Sequence, residues 1–202
     1  DYPVDLLSKE FALEAHPQKT ESGELRTGVP FLGYVFYADK IRVRPAAIQK
    51  LEGSLEELFR KRKKQTISAP LFIWRLNLRI SGCILEKKKY GWLFYYSQMS
   101  DLCILYHLDW LIGRFFQRFK IDRPEGIKSF VRTYHEITKN VSHSTYLINA
   151  DLYSCEDKRK ILMGIYSQKR VETMDDDKIE ELFKGAMFKE IQRLEHDIQN
   201  FS

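Results

Sequence analysis

The sequence predicts a mainly α-helical chain with a small β-hairpin element near its start, an α+β fold. Long segments repeat apolar residues every three or four positions, as one face of an α-helix does. A short segment over residues 41–44 instead alternates apolar and basic residues, as a strand does. The 202 residues, of which 44% are hydrophobic, suffice for one or two domains with a buried core.

The first 44 residues carry the β element. The spacing of Val4, Leu7 and Phe11 predicts a short helix over residues 3–13, although residues 11–20 also suit a strand. The proline after His16 ends any helix there. The apolar segment 31–37 and the alternating segment 41–44 predict a β-hairpin with one basic face.

Six helices are predicted after the hairpin. The first opens at Pro45, because proline suits the first helical turn, and it leads into five consecutive cations at residues 60–64. A second follows Pro70, with apolar residues from Ile73 to Ile84 on one face. A third is capped by Ser100 or Asp101 and runs from residue 102 to 119. After a break at residues 122–126, further helices are predicted over residues 127–137, 156–166 and 175–201.

The charge is concentrated in one quarter of the chain. The net charge is +5, yet residues 40–89 alone hold 14 Lys/Arg against 4 Asp/Glu. Such a segment is typical of a surface that faces phosphates, and the alternative is a solvated helix face with its counterions. The residues expected to form one positive face are Arg60, Lys61, Arg62, Lys63, Lys64, Arg75 and Arg79.

The cysteines, the histidines and the motifs argue against disulfide-linked, membrane-spanning, metal-binding and nucleotide-binding classes of protein. Cys83, Cys103 and Cys155 form no C-x-x-C pair, which predicts free thiols and a reducing cytoplasm. No membrane partner is expected, since no apolar run approaches the roughly 20 residues of a spanning helix. The histidines lack metal-ligand spacing, and no nucleotide-binding glycine motif is present. The sequence therefore predicts no metal site and no cofactor in this chain.

Several motifs stand in a fixed order along the first half of the chain. His16-Pro17-Gln18-Lys19-Thr20 precedes Phe31-Leu32-Gly33-Tyr34, and Arg44-Pro45 opens a helix. Arg75-Leu76-Asn77 is followed by Ser81-Gly82 and later by Tyr95-Tyr96. In this order, residues 1–120 resemble the end of the palm and the thumb of bacterial reverse transcriptases of the retron, group II intron or defence-associated kind.

The resemblance implies roles for particular residues. Lys19 would lie near the incoming nucleotide and assist the departing pyrophosphate, and Phe31, Leu32, Gly33 and Tyr34 would form the primer grip. The chain would be the C-terminal fragment of an RNA-directed DNA polymerase, beginning after the carboxylates that bind Mg²⁺ in the intact parent, and would be inactive alone. Its partner would be the RNA template–DNA primer duplex. The residues expected to bind it are Arg42, Arg44, Arg60, Lys61, Arg62, Lys63, Lys64, Arg75, Asn77, Arg79, Lys87, Lys88 and Lys89.

The same resemblance divides the chain into three regions. Residues 1–44 would be the end of the palm, 45–120 a helical thumb and 121–202 a helical C-terminal extension. Met174-Asp175-Asp176 is not a catalytic acidic hairpin, because the residues after it predict a helix whose positive N-terminal end suits acidic residues.

Each assignment has an ordinary alternative. Lys19 could be an exposed lysine in a turn, the Phe31–Tyr34 segment could be core with a glycine bulge, and the aromatic residues near Tyr95 could be bundle core. The rival function is a helical protein-interaction or oligomerisation module. It would associate through the N-terminal hairpin or the C-terminal helix, and its cations would only solubilise it.

Overall fold

Two antiparallel sheets and eight α-helices make up the part of the chain that the structure, a computed structural model, describes, residues 9–10 and 23–198. Strands β1 (Val29–Phe31), β2 (Tyr34–Phe36) and β3 (Ile41–Val43) form one sheet, and β4 (Cys83–Leu85) and β5 (Lys88–Tyr90) form the other. The helices are α1 (Pro45–Lys63), α2 (Ala69–Ser81), α3 (Trp92–Tyr95), α4 (Cys103–Phe119), α5 (Phe130–Lys139), α6 (Cys155–Ile165), α7 (Gln168–Glu172) and α8 (Asp176–Ile198). The predicted fold class, mainly α with a small β element, is confirmed.

The first sheet contains the predicted hairpin and one strand more. The predicted hairpin is formed by β2 and β3, which pair with Tyr34 opposite Val43, and β2 also pairs with β1 on its other side. Leu32 and Gly33 link β1 to β2 with φ angles of 46° and 83°. Positive φ at both loop residues is the requirement of a two-residue type I′ turn, which matches the twist of the flanking strands.

The first core lies between α1, α2 and α4. Helix α1 begins at Pro45, as predicted, and buries Leu51, Leu55, Leu58 and Phe59. The ring of Phe59 lies at the centre of a cluster formed by Phe72, Phe115, Phe116 and Phe119. Aromatic rings at such separations add about 0.5–1.5 kcal/mol per pair beyond the area they bury.

The second sheet was not predicted. Helix α2 ends at Ser81, because Gly82 takes a φ of 64° and a ψ of −164° that no helix contains, so Ile84 lies in β4 instead of on the helix. Glu86 and Lys87 form the turn with φ angles of 50° and 62°. The Asp151 carboxylate accepts hydrogen bonds from the amides of Glu86 and Lys87, at 2.6 and 2.9 Å, and so stabilises a turn of unfavourable composition.

The second core joins the last helices to the middle of the chain. Helix α8 buries Ile179, Phe183, Met187 and Ile191 in a cluster shared with residues of α6, α7 and β4, and it packs mainly on α6. Asp175 caps α8 by accepting from the Lys178 amide at 2.8 Å, which confirms that the acidic run at residues 173–177 is a helix N-terminus. Both cores contain residues from either side of residue 121, where the sequence predicts a boundary.

Residues 9–10 and 23–198 include no helix with the length and hydrophobicity that crossing a bilayer requires.

Candidate nucleic-acid interface

The tip of the first hairpin projects two apolar side chains into solvent. Phe31 and Leu32 are 61% and 58% exposed, whereas Gly33 and Tyr34 beneath them are buried. The alternative in which all four residues are core is therefore wrong for Phe31 and Leu32. Lys19, the predicted catalytic residue, lies outside the described residues.

The hairpin rests on the short helix α3 through two tyrosines. The Tyr34 hydroxyl donates to the Tyr95 carbonyl at 2.7 Å, and the Tyr95 hydroxyl donates to the Leu32 carbonyl at 3.3 Å. The Tyr34 and Tyr96 rings are 5.3 Å apart and meet edge to face. Burial raises the pKa of Tyr34 and raises the pKa of Tyr96 to about 12, so both hydroxyls stay neutral at physiological pH. Tyr96 is core, as the alternative held, while Tyr95 is exposed.

Backbone hydrogen bonds fix the hairpin to the helices on either side. The Arg44 amide donates to the Gly33 carbonyl at 2.9 Å, which joins the turn to the start of α1. The Ile41 amide donates to Ser100 Oγ at 2.9 Å, and the Ser100 amide donates to the Ile41 carbonyl at 3.0 Å. Beside them, Arg42 forms an ion pair with Asp101 at 2.6 Å, which holds the pKa of that carboxyl below its ordinary value. The side chain of Arg44 is exposed.

The basic run at the end of α1 is mostly exposed. Arg60 and Lys61 form ion pairs with Glu56 and Glu57 one turn earlier, at 3.0 and 3.6 Å. Arg62 is half-buried and donates to the Ile67 carbonyl at 3.5 Å. Lys63 and Lys64 are exposed at the helix C-terminus, where cations suit the negative end of the dipole. Because these ion pairs are exposed to solvent, the Arg60 and Lys61 side chains can exchange their carboxylate partners for phosphates.

A second exposed basic group lies at the β4–β5 turn. Lys87, Lys88 and Lys89 are exposed there, in the segment that lengthens the gap between Gly82 and Tyr95. Lys87 lies in the turn and Lys88 and Lys89 lie in β5, so a hairpin carries these three lysines instead of a helix.

The expectation that Arg75 and Arg79 belong to one exposed positive face is wrong. Their side chains are 15% and 11% exposed, and helix α8 covers them. Arg75 pairs with Glu190 at 2.8 Å, and Arg79 pairs with Asp197 at 3.8 Å. The two carboxylates lie more than 100 positions away in the sequence, so the spacing of the arginines alone could not reveal them.

Asn77 is engaged by the chain itself. Its amide nitrogen donates to the Gly126 carbonyl at 2.9 Å, and its amide oxygen accepts from the Lys128 amide at 2.9 Å. Both polar groups of the side chain thus hold the connection between α4 and α5.

Sequence reasoning missed an aromatic stripe on α4. Tyr106 and Trp110 are 63% and 59% exposed, and the Arg114 guanidinium lies 5.8 Å from the Trp110 ring centroid. His107 on the same side is 2.8 Å from Glu52 Oε1. The sequence does contain the pattern that predicts this stripe, because three residues recur every four positions outside the leucine stripe: Tyr106, Trp110 and Arg114.

The described ranges hold no group of three or more His, Cys, Asp or Glu residues placed to bind a metal ion. Comparison of the chain with protein-family models, curated proteins and solved structures gives no match. The resemblance to reverse transcriptases therefore rests on the order and spacing of the motifs.

Proposed function

We propose that the chain is the C-terminal part of a bacterial RNA-directed DNA polymerase and that it holds the RNA template–DNA primer duplex. The observation that carries the proposal is the contact between the Phe31–Tyr34 turn and Tyr95–Tyr96. These two motifs are 61 residues apart where Tyr34 meets Tyr95. The resemblance assigns one to the primer grip and the other to the thumb, which act on the same duplex.

The hairpin has the properties that a primer grip needs. Its tip is a tight turn fixed by the Arg44 amide on one side and by Tyr95 on the other. A rigid turn with exposed Phe31 and Leu32 can bring backbone and apolar atoms against the sugars of a primer end. An RNA–DNA hybrid is close to A-form, with a shallow minor groove that offers such sugars.

Charge would supply the sequence-independent part of the affinity. The exposed cations of residues 60–64 and 87–89 can contact phosphates without reading bases. The Mg²⁺ ions expected for the intact polymerase would bind outside the described part of this chain, which has no fitting ligand cluster. The chain alone would then bind duplex without polymerising, in the cytoplasm.

A titration of a labelled RNA–DNA hybrid at several salt concentrations tests the proposal. Neutralising Lys87, Lys88 and Lys89 to Gln should weaken binding and lower the salt slope by roughly one for each lost phosphate contact. A matched control neutralises Lys160, Lys169 and Lys178, which are exposed in the C-terminal region. Unchanged affinity and slope in the first variant, or no binding by the wild type, would contradict the proposal.

Lys19 is tested in the intact polymerase. If its ammonium protonates the departing pyrophosphate, Lys19→Ala should slow single-turnover incorporation by about 10²–10⁴-fold with hybrid binding unchanged. Lys19→Arg keeps the charge but donates protons poorly, so it should resemble Ala if proton donation dominates and wild type if charge dominates. Equal rates for all three proteins would leave Lys19 an ordinary surface lysine.

The rival function is self-association through the exposed tip. Phe31 and Leu32 favour it, because two adjacent apolar residues at a turn tip can pair with a second copy. The apolar face of α8 offers less, since it is buried within the chain. A concentration-dependent dimer that Leu32→Ser abolishes, together with salt-independent hybrid binding, would favour this function over duplex holding.

A further inference from the structure

A polar cleft of about 340 Å³ lies between helices α1, α2 and α8. Its floor is formed by Arg75 and Arg79, whose side chains are 15% and 11% exposed. Its rim carries Lys61 and Arg193, whose side chains are about half exposed. The cleft therefore connects buried guanidinium groups to solvent.

Cations outnumber carboxylates around this cleft. Five Lys and Arg side chains line it, and His196 adds a sixth nitrogen base. Three carboxylates oppose them, Glu57 and Asp197 in the lining and Glu190 in contact with Arg75 and Arg193. With His196 neutral, the balance is an excess of two positive charges in a partly desolvated space.

Arg79 is only partly compensated by carboxylates. The Asp197 carboxylate is 3.8 Å from Arg79 Nε, longer than a hydrogen bond. Ser54 lies between them, since its hydroxyl accepts from Arg79 Nε at 2.8 Å and donates to Asp197 at 2.9 Å. Burial lowers the pKa of Arg79 and outweighs Asp197 and Glu190, which raise it, while Arg193 and Arg75 lower it further by smaller amounts.

The lining also limits what can fill the cleft. Leu58 is the one apolar residue among the described residues that line it, and no Phe, Tyr or Trp is among them. A nucleobase would find no large apolar ring there, only the imidazole of His196 and the guanidinium planes of a strongly charged lining. A compact oxyanion would instead meet several guanidinium N–H groups, whose fork geometry suits phosphate oxygens.

We infer that the cleft between α1, α2 and α8 is a binding site for a phosphoryl oxyanion, recognised by Arg79 at the floor and by Arg193 and Lys61 at the rim. The oxyanion could be free pyrophosphate or a phosphate of a nucleic-acid backbone, which share this chemistry. The inference stands without the proposed polymerase function, because it depends only on the charges and shape of the cleft.

Thermal unfolding with sodium pyrophosphate, against sodium chloride at equal ionic strength, is the first test. Pyrophosphate at 100 times its Kd should raise Tm by roughly 5–10 °C, and chloride should not. Arg193→Gln removes a rim donor whose side chain is 49% exposed, so the variant should still fold. It should bind pyrophosphate about tenfold or more weakly in calorimetry, since hydrogen bonds to charged groups carry about that much affinity.

Lys61→Gln is the second variant, for use if Arg193→Gln fails to fold. Lys178→Gln is the matched control, since Lys178 is an ion-paired lysine at the opposite end of α8. Equal pyrophosphate binding by wild type and both rim variants, or no binding by the wild type, would overturn the inference. Weakening in Lys178→Gln as large as in the rim variants would also overturn it.

A hybrid titration identifies the source of the phosphate. If backbone phosphate occupies the cleft, Arg193→Gln should weaken RNA–DNA binding and pyrophosphate should compete with the hybrid. If the ligand is free pyrophosphate, hybrid binding should be the same in wild type and Arg193→Gln while pyrophosphate binding is lost. Failure of the hybrid to bind at all would count against the proposed function but not against the pyrophosphate site.

Discussion

Arg75 on α2 donates a hydrogen bond from Nε to Oε1 of Glu190 on α8 at 2.9 Å, and its Nη2 forms an ion pair with the same oxygen at 2.8 Å. Glu190 is 4% exposed and also accepts from Arg193, so one buried carboxylate offsets two guanidinium groups. The pair joins the middle of the chain to its last helix. It also explains why Arg75 is buried, although the sequence pattern predicts that it lies on the surface.

Glu190→Ala should therefore lower the free energy of unfolding by about 3–5 kcal/mol, because it leaves the Arg75 charge buried without its partner. Urea denaturation measures the change. The double replacement Arg75→Leu/Glu190→Leu should recover most of the loss, since apolar side chains of similar volume often replace a buried pair without cost. The control is Glu181→Ala, an exposed residue paired with Lys178, which should change stability by less than about 0.5 kcal/mol. A loss below about 1 kcal/mol in Glu190→Ala would mean that water compensates Arg75.

The sequence predicted the long helices well because their apolar stripes face a core. Helix α4 repeats leucine and phenylalanine along one side, and burial of that stripe determines both its extent and its position. An apolar stripe of the same kind predicted α1, and Pro45 marks its start. Local pattern and tertiary packing agree in these elements.

The β4–β5 hairpin escaped prediction because tertiary contacts impose it. Glu86 and Lys87 are poor turn formers, yet both take positive φ under the Asp151 carboxylate, 65 and 64 residues further on. The candidate interface was only partly predictable for the same reason. The arginine spacing in α2 defines a helix face, but the identity of the helix that covers that face is not encoded locally.

Gly82 is predicted to tolerate no side chain. Its φ of 64° and ψ of −164° lie in a region open essentially to glycine alone, and an added Cβ would lie 2.2 Å from the Tyr90 carbonyl oxygen. Strain and overlap together should cost about 3 kcal/mol or more in Gly82→Ala. The control is Gly185→Ala on α8, where a Cβ meets nothing within 4 Å. That change should stabilise the protein by up to about 1 kcal/mol in the same denaturation experiment, and a destabilised Gly185→Ala would contradict the packing of α8.

The three thiols should differ in reactivity toward an alkylating reagent. Cys103 is exposed, while Cys83 is buried and burial raises its pKa to about 12. A hydrogen bond to Asp176 raises the pKa of the half-buried Cys155. Because the thiolate is the reactive form, alkylation followed by mass spectrometry should modify Cys103 first and Cys155 next.

Cys83 should react only after unfolding. Raising the pH from 7 to 9 should not change this, since both values lie well below the pKa of about 12. The denatured protein provides the control, in which all three residues should react alike. Modification of native Cys83 at a rate similar to that of Cys103 would show that β4 opens readily.

The docking of the first hairpin should depend on one hydroxyl group. Tyr34→Phe removes the donor to the Tyr95 carbonyl, at 2.7 Å, and the acceptor of the Gln98 amide, at 3.4 Å, while it keeps the ring packed on Tyr96. Leaving two backbone groups without this partner should cost about 1–2 kcal/mol. Amide hydrogen exchange over residues 29–43 should accelerate, because those amides become exchange-competent whenever the hairpin leaves α3.

Tyr106→Phe, at an exposed position on α4, is the matched control and should change neither the stability nor the exchange rate. Unaltered exchange in Tyr34→Phe would mean that ring packing alone holds the hairpin, in which case only Tyr34→Ala, with an expected loss of about 3–5 kcal/mol, should release it.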